Sequence, residues 1–190
     1  MASEILTGGM LIAFQSYGDL WRRMRRAAHD GFNARATISY QPLQEKESAL
    51  LLSQMLKNPE NLETNFRRTA ASMVLCSVYG WLPIDASADA FVKRIEQLMD
   101  RITYACLPGS YLVEFFPWMI RLPEWIAGWK REGLKWFRED TKLLESLMDN
   151  VERRMGQGDS SPSFAATMIE DKKGYKLTKQ EAAWLTGTMV

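Results

Sequence analysis

Residues 17–33 read YGDLWRRMRRAAHDGFN. Arg22, Arg23, Arg25 and Arg26 fall within five positions, directly after Trp21. No other stretch sets so much positive charge beside a large aromatic. Trp21 and Arg25 are i and i+4, so on a helix they project from one face, one above the other. An indole N–H and a guanidinium fork on one face suit an anion, most naturally a carboxylate or phosphate. The same residues also read as a solvated arginine face with a core tryptophan. Spacing alone does not separate these readings. Asp19 is placed to cap this helix, and Gly31 to end it or weaken its last turn. His29, the single histidine, reads as a structural residue packed against or capping the helix.

Outward from this segment the pattern stays helical. Met10 to Phe14 is a short apolar run expected to be buried. Residues 35–57 form a helix with Leu43, Leu50, Leu51 and Met55 at mixed spacings, stopped by Asn58-Pro59. Residues 61–79 form another, with Phe66, Ala70, Met73, Val74 and Ser77 as its packed face, ending at Gly80. A loop follows at 81–87. Residues 87–105 carry Phe91, Ile95, Leu98, Met99 and Ile102 at helical period. The segment 111–125, YLVEFFPWMIRLPEW, holds Pro117 and Pro123, which forbid a long regular helix. It is expected to be a kinked aromatic loop pressed on something apolar. A long amphipathic helix then runs to about Met155, burying Leu134, Phe137, Leu144, Leu147 and Val151. Residues 156–161 read as a flexible linker, 162–170 as a short helix and 171–175 as a polar turn. Thr178 and Glu181 form a capping box opening the last helix. No alternating strand is evident, so the class is all-α.

The totals narrow the function. The 190 residues carry a net charge of +1, which disfavours nucleic acid: Arg22 to Arg26 has no second basic stripe to accompany it. Seven tryptophans and eleven methionines suit a pocket, an amphiphilic surface or a large helical core. Cys76 and Cys106 have no metal-like spacing, and with one histidine a His/Cys metal site is not expected. The same cysteine usage suggests free thiols in a reducing compartment. The longest uncharged stretch, 69–84, is shorter than the roughly 20 residues that span a bilayer. Acid–base, nucleophile-triad and P-loop templates find no match.

The motif Y-G-D-x-W-R-x-x-R-R, followed by a His and then G-F-N, resembles the C-helix region of the cytochrome P450 family in its fungal form. Residues 107–117, L-P-G-x-Y-L-V-E-x-F-P, followed by R-L-P-E-W at 121–125, resemble that group's F–G region. The stretch 177–190 resembles the start of the I helix. The resemblance covers nearly the whole chain but only the middle of the family's length. It implies a partial cytochrome P450 fold without the haem-ligand loop. Residues 1–16 would lead in, 17–33 form the C-helix haem-propionate region and 34–80 D/E-type helices. An F–G-type region would occupy 87–155, a linker 156–161, and the H and early I helices 162–190.

By resemblance, Trp21 and Arg25 hold a haem propionate, and Arg22, Arg23 and Arg26 are candidates for docking an NADPH-cytochrome reductase. Ile102, Tyr104, Leu107, Tyr111, Leu112 and Phe116 are pocket or channel candidates for an apolar substrate. Trp118, Trp125 and Trp129 would meet the membrane surface, at the cytoplasmic face of the endoplasmic reticulum. The aromatics of this segment could equally close a core. The family's F-x-x-G-x-R-x-C-x-G loop, E-x-x-R pair and A-G-x-D-T site are not in these residues, and neither cysteine has the setting of a thiolate ligand. The expectation is a gene-model fragment or partial sequence of a haem monooxygenase, inactive by itself, with no catalytic residue of its own. The alternative is a non-catalytic helical membrane-surface or scaffold protein.

Overall fold

The structure is a computed structural model that describes residues 1–80, 89–159, 161–170 and 172–190. Its helices are α1 (Asp19–Phe32), α2 (Ala34–Ile38), α3 (Gln41–Lys57), α4 (Leu62–Tyr79), α5 (Asp89–Cys106), α6 (Gly128–Gly156), α7 (Phe164–Glu170), α8 (Lys172–Tyr175) and α9 (Lys179–Thr188). Among the described residues there is no strand, and the protein is all-α. The expected loop at 81–87 and the side chain of Phe91 lie outside the described residues.

One core joins α1, α4, α6, α7 and α9. Phe164, Trp184, Met24, Tyr79 and Leu144 are among its large members that are essentially sealed from solvent. Phe137 stacks on Trp184 at 5.6 Å, and the indole N–H of Trp184 donates to Thr141 Oγ1 at 3.0 Å. That bond satisfies the one polar atom of a buried indole. Close approach depends on two glycines. A Cβ on Gly31 would lie 2.1 Å from Phe164, and one on Gly187 2.6 Å from Leu144. Gly31 is therefore a packing residue inside α1, not its terminator.

Other expectations also change. The helix expected over 35–57 is two, because the chain breaks at Ser39 and Tyr40 before Pro42 opens α3. The expected face of α4 is rotated. Thr69, Ser72, Leu75, Cys76, Val78 and Tyr79 are buried, while Phe66 is half-exposed and Ala70 exposed. Two apolar stripes compete on this helix, and the core took the one continuous with Tyr79. In the run 10–14 only Leu11 is buried. Of the stripe on α6, Leu144, Leu147 and Val151 are buried, and Leu134 and Phe137 half-buried.

Segment 111–125 folds into tight turns at Leu112–Glu114 and Pro117–Arg121, where Val113 alone is buried. Most of its aromatics face outward. Residues 172–175 form a helical turn. Just after α6, Asp159 is held by Arg154. Arg154 donates to the carbonyls of Gly80 (2.7 Å) and Tyr79, and to Asp159 Oδ2 (3.0 Å). Its guanidinium thus closes the C-terminus of α4, where Gly80 takes a left-handed φ of 63°.

Candidate functional site

Helix α1 buries Met24, Ala27, Ala28 and Gly31. Successive helical residues point about 100° apart, so Trp21 lies about 60° from Met24 and about 40° from Arg25. The tryptophan therefore straddles the edge of the buried face. It is half-buried, its ring 5.3 Å from that of Tyr17, whereas Arg25 is exposed. Among the described residues neither Trp21 nor Arg25 makes a hydrogen bond or ion pair, so the two donors are unclaimed.

The neighbouring arginines divide. Arg22 lies over the Tyr17 ring at 5.8 Å. Arg23 is engaged within the fold, with Asp19 at 2.9 Å, Glu181 at 3.6 Å and the Lys176 carbonyl. This ties α1 to the start of α9 and takes Arg23 off the exposed set. Asp19 serves that pair rather than capping α1, which has no side-chain cap. Arg26 is exposed. His29 also faces solvent, its Nδ1 3.4 Å from Asp30 Oδ1, and does not pack or cap.

The pocket candidates separate too. Ile102 belongs to the core. Leu107, Leu112 and Phe116 are at least half-exposed. Only Tyr104 and Tyr111 come together, edge to face at 6.0 Å, in the wall of a cavity of about 380 Å³. Residues not anticipated complete that wall. Trp129, Glu132, Gly133 and Trp136 fall on one face of α6, and Asp100, Arg101, Met1 and Leu6 lie opposite. The i, i+3, i+4, i+7 spacing on α6 was the signal available for the first four. Trp129 is thus half-buried in a cavity, unlike Trp118 and Trp125, which are 62% and 78% exposed.

Arg101 Nη2 lies 2.7 and 2.8 Å from the two oxygens of buried Asp140, and the guanidinium sits 4.3 Å from the Trp136 ring centre. Burial pushes the Asp140 carboxyl above its ordinary range, while Arg101 pulls it down by hydrogen bond and charge. Burial likewise raises the Tyr111 phenol, with Tyr104 and Glu132 adding to the effect.

Over its whole length the chain is 50% identical to cytochrome P450 monooxygenase 58 of Postia placenta, covering 36% of that protein. It is 42% identical, over 189 residues, to a cytochrome P450 monooxygenase of Armillaria gallica, covering 37% of it. It is 30% identical, over 190 residues, to the cytochrome P450 monooxygenase iboC of Amanita muscaria, covering 33% of it. The chain belongs to the cytochrome P450 family. It spans about a third of the length of these curated relatives. No family model and no solved structure matches it.

Cytochrome P450 proteins use haem, and the residues present fit one edge of it. Trp21 and Arg25 are two unclaimed donors suited to a propionate. An axial thiolate is another matter. Cys76 is buried with its Sγ 3.8 Å from Ser72 Oγ, and burial raises its thiol above the ordinary range. Cys106 is exposed at the end of α5. Neither fits a ligand held on iron. Among the described residues no group of three or more His, Cys, Asp or Glu could hold a metal ion, and no helix is long and apolar enough to cross a membrane.

Proposed function

We propose that these residues form the part of a haem-dependent monooxygenase that grips a haem propionate and roofs an apolar substrate pocket. The observation that carries this is the unclaimed donor pair on α1. Trp21 would donate its indole N–H and Arg25 a charge-assisted bond to the carboxylate. When bound, haem supplies the activation of O2 for insertion of one oxygen atom into an apolar substrate, with electrons from NADPH through a reductase. The chain's own residues hold the group, exclude water and shape the pocket. Exposed Arg22 and Arg26 are candidates to dock the reductase; Arg23, engaged within the fold, is not.

Arg25→Ala in a full-length protein should weaken haem retention by about 1.5–3 kcal/mol, the range for a charge-assisted bond. Haem transfer to an apo-globin reads this directly, and an unchanged rate removes the role. The 190 residues by themselves are expected not to hydroxylate, since neither cysteine suits the iron. A thiolate-type Soret band in the reduced, CO-bound spectrum of residues 1–190 would overturn that.

A second reading has its own support. Leu112, Phe115, Phe116, Trp118, Trp125 and Ile126 are all at least half-exposed. Such a surface suits the bilayer interface, with the endoplasmic reticulum as the expected site. It also suits a membrane-surface or scaffold protein without catalysis. Flotation with liposomes, compared with a Trp118→Ala/Trp125→Ala variant, tests the contact. Equal flotation of the two would remove it.

A further inference from the structure

We propose that Arg23 and Asp30 are positioning residues: through a polar seam with residues 175–181 they fix the roll of α1, and so set where Trp21 and Arg25 point. The proposal rests on the reading of those two residues as the grip on a haem propionate. The seam has two joints. Arg23 donates to the Lys176 carbonyl and pairs with Glu181 at 3.6 Å. The Tyr175 hydroxyl donates to Asp30 Oδ2 at 3.1 Å. The first joint is braced from both sides. Arg23 Nε donates to Asp19 at 2.9 Å, and Glu181 Oε2 accepts from Thr178 N at 2.8 Å within the capping box. Lys176, with φ 52°, is the one non-glycine residue at positive φ among the described residues. A side chain is crowded in that conformation, and it is this residue whose carbonyl Arg23 takes.

The seam lies opposite the donors. At about 100° per residue, Arg23 and Asp30 fall within about 20° of one another and about 140–180° from Trp21 and Arg25. One flank of α1 is therefore tied, and the other carries the unclaimed pair. Apolar packing does less to fix this orientation. Helices interlock through ridges of side chains, and of the buried residues Met24, Ala27, Ala28 and Gly31 three carry a methyl group or less. The close contact of Gly31 with Phe164 lies near the far end of α1. Arg23 sits between Trp21 and Arg25 in the same turn.

The orientation matters because the site is demanding. At the 5–6 Å radius of a helix with its side chains, a roll of about 30° moves a side-chain tip by about 3 Å. A binding constellation needs its groups held to about 0.5 Å. A rolled α1 would keep both donors but aim them elsewhere.

The first test uses the 190-residue chain without haem. The Trp21 indole N–H resonance is assigned by its loss in Trp21→Phe, and its broadening by a neutral gadolinium chelate in solution reports its exposure. Arg23→Met should change that broadening and leave Trp184, sealed in the core, as in the parent. Arg23→Lys, which keeps a cation at the seam, should restore it. Tyr175→Phe removes only the hydroxyl on Asp30 and should shift the Trp21 signal in the same sense by less; it carries the test should Arg23→Met not fold. In a full-length protein Arg23→Met should speed haem transfer to an apo-globin by about tenfold, the lower end of the range for a charge-assisted bond. It should add little to Arg25→Ala, because both act on one contact. Parent-like Trp21 broadening in the Arg23→Met and Tyr175→Phe variants, no rescue by Arg23→Lys, or an effect of Arg23→Met that adds in full to that of Arg25→Ala overturns the proposal. Unchanged haem transfer in Arg25→Ala removes the haem reading alone, and the indole measurement still decides the role of Arg23.

Discussion

Helix α3 buries one residue, and it is a charge. Glu47 is fully sealed from solvent. It accepts from Ser72 and from Arg68 Nη2 at 3.1 Å, while Arg68 Nε also donates to Gln54 at 2.9 Å. The joint between α3 and α4 is therefore polar, and its cohesion rests on the match between Glu47 and Arg68. Arg68→Met strands the carboxylate without its cation. Breaking a buried pair in this way costs about 3–5 kcal/mol. Against a typical domain stability of about 5–15 kcal/mol that is a large share. In a chain of this size it corresponds to a fall in Tm of roughly 6–20 °C. Replacing both partners, as Glu47→Met/Arg68→Met, removes the uncompensated charge and should recover most of the loss. The residue would be a deficit of about 1–2 kcal/mol from Ser72 and Gln54 losing partners. Urea unfolding followed by far-UV circular dichroism measures all three proteins. A single variant within about 1 kcal/mol of the parent, or a double variant no better than the single, would refute the reasoning.

Three more outcomes follow from the geometry. Gly187→Ala sets a methyl against Leu144 where α6 meets α9, and should cost about 1–3 kcal/mol of overpacking in a thermal melt. Thr178→Ala removes one half of the capping box, in which Glu181 N donates to Thr178 Oγ1 at 3.2 Å. It should cost about 0.5–2 kcal/mol, read by chemical denaturation. The Tyr79 phenol, buried against Thr186, is pushed up to about 12. A raised folded value favours the neutral form, so its contribution is complete below about pH 10 and is lost as the pH climbs toward 12. Tyr79→Phe should flatten that part of the alkaline decline in the urea midpoint, and an identical decline in the two proteins would count against it.

Much of the local structure was legible in the residues. The stop at Gly80, the stripe Ile95, Leu98, Ile102 on α5 and the capping box at Thr178 are each set within a few neighbouring positions. The adjacency of Trp21 and Arg25 is of the same kind, because helical period alone brings i and i+4 together. The cavity was half legible. Tyr104 and Tyr111 were named, but Asp100, Trp129 and Glu132 were hidden, because nothing in either helix reveals that α5 and the start of α6 face one another.

What the sequence determined, then, is where helices form, most of where they stop, and the family resemblance carried by the segments around Trp21 and Tyr111. Only the tertiary structure decided which stripe of α4 is buried and that Glu47 is sealed inside a polar joint. It also decided that Gly31 is a contact point for Phe164, that Arg23 is engaged with Glu181, and that Trp129 lines a cavity. Periodicity orients residues within one element. Burial and charge pairing are relations between elements far apart in the chain, and they exist only once those elements are packed.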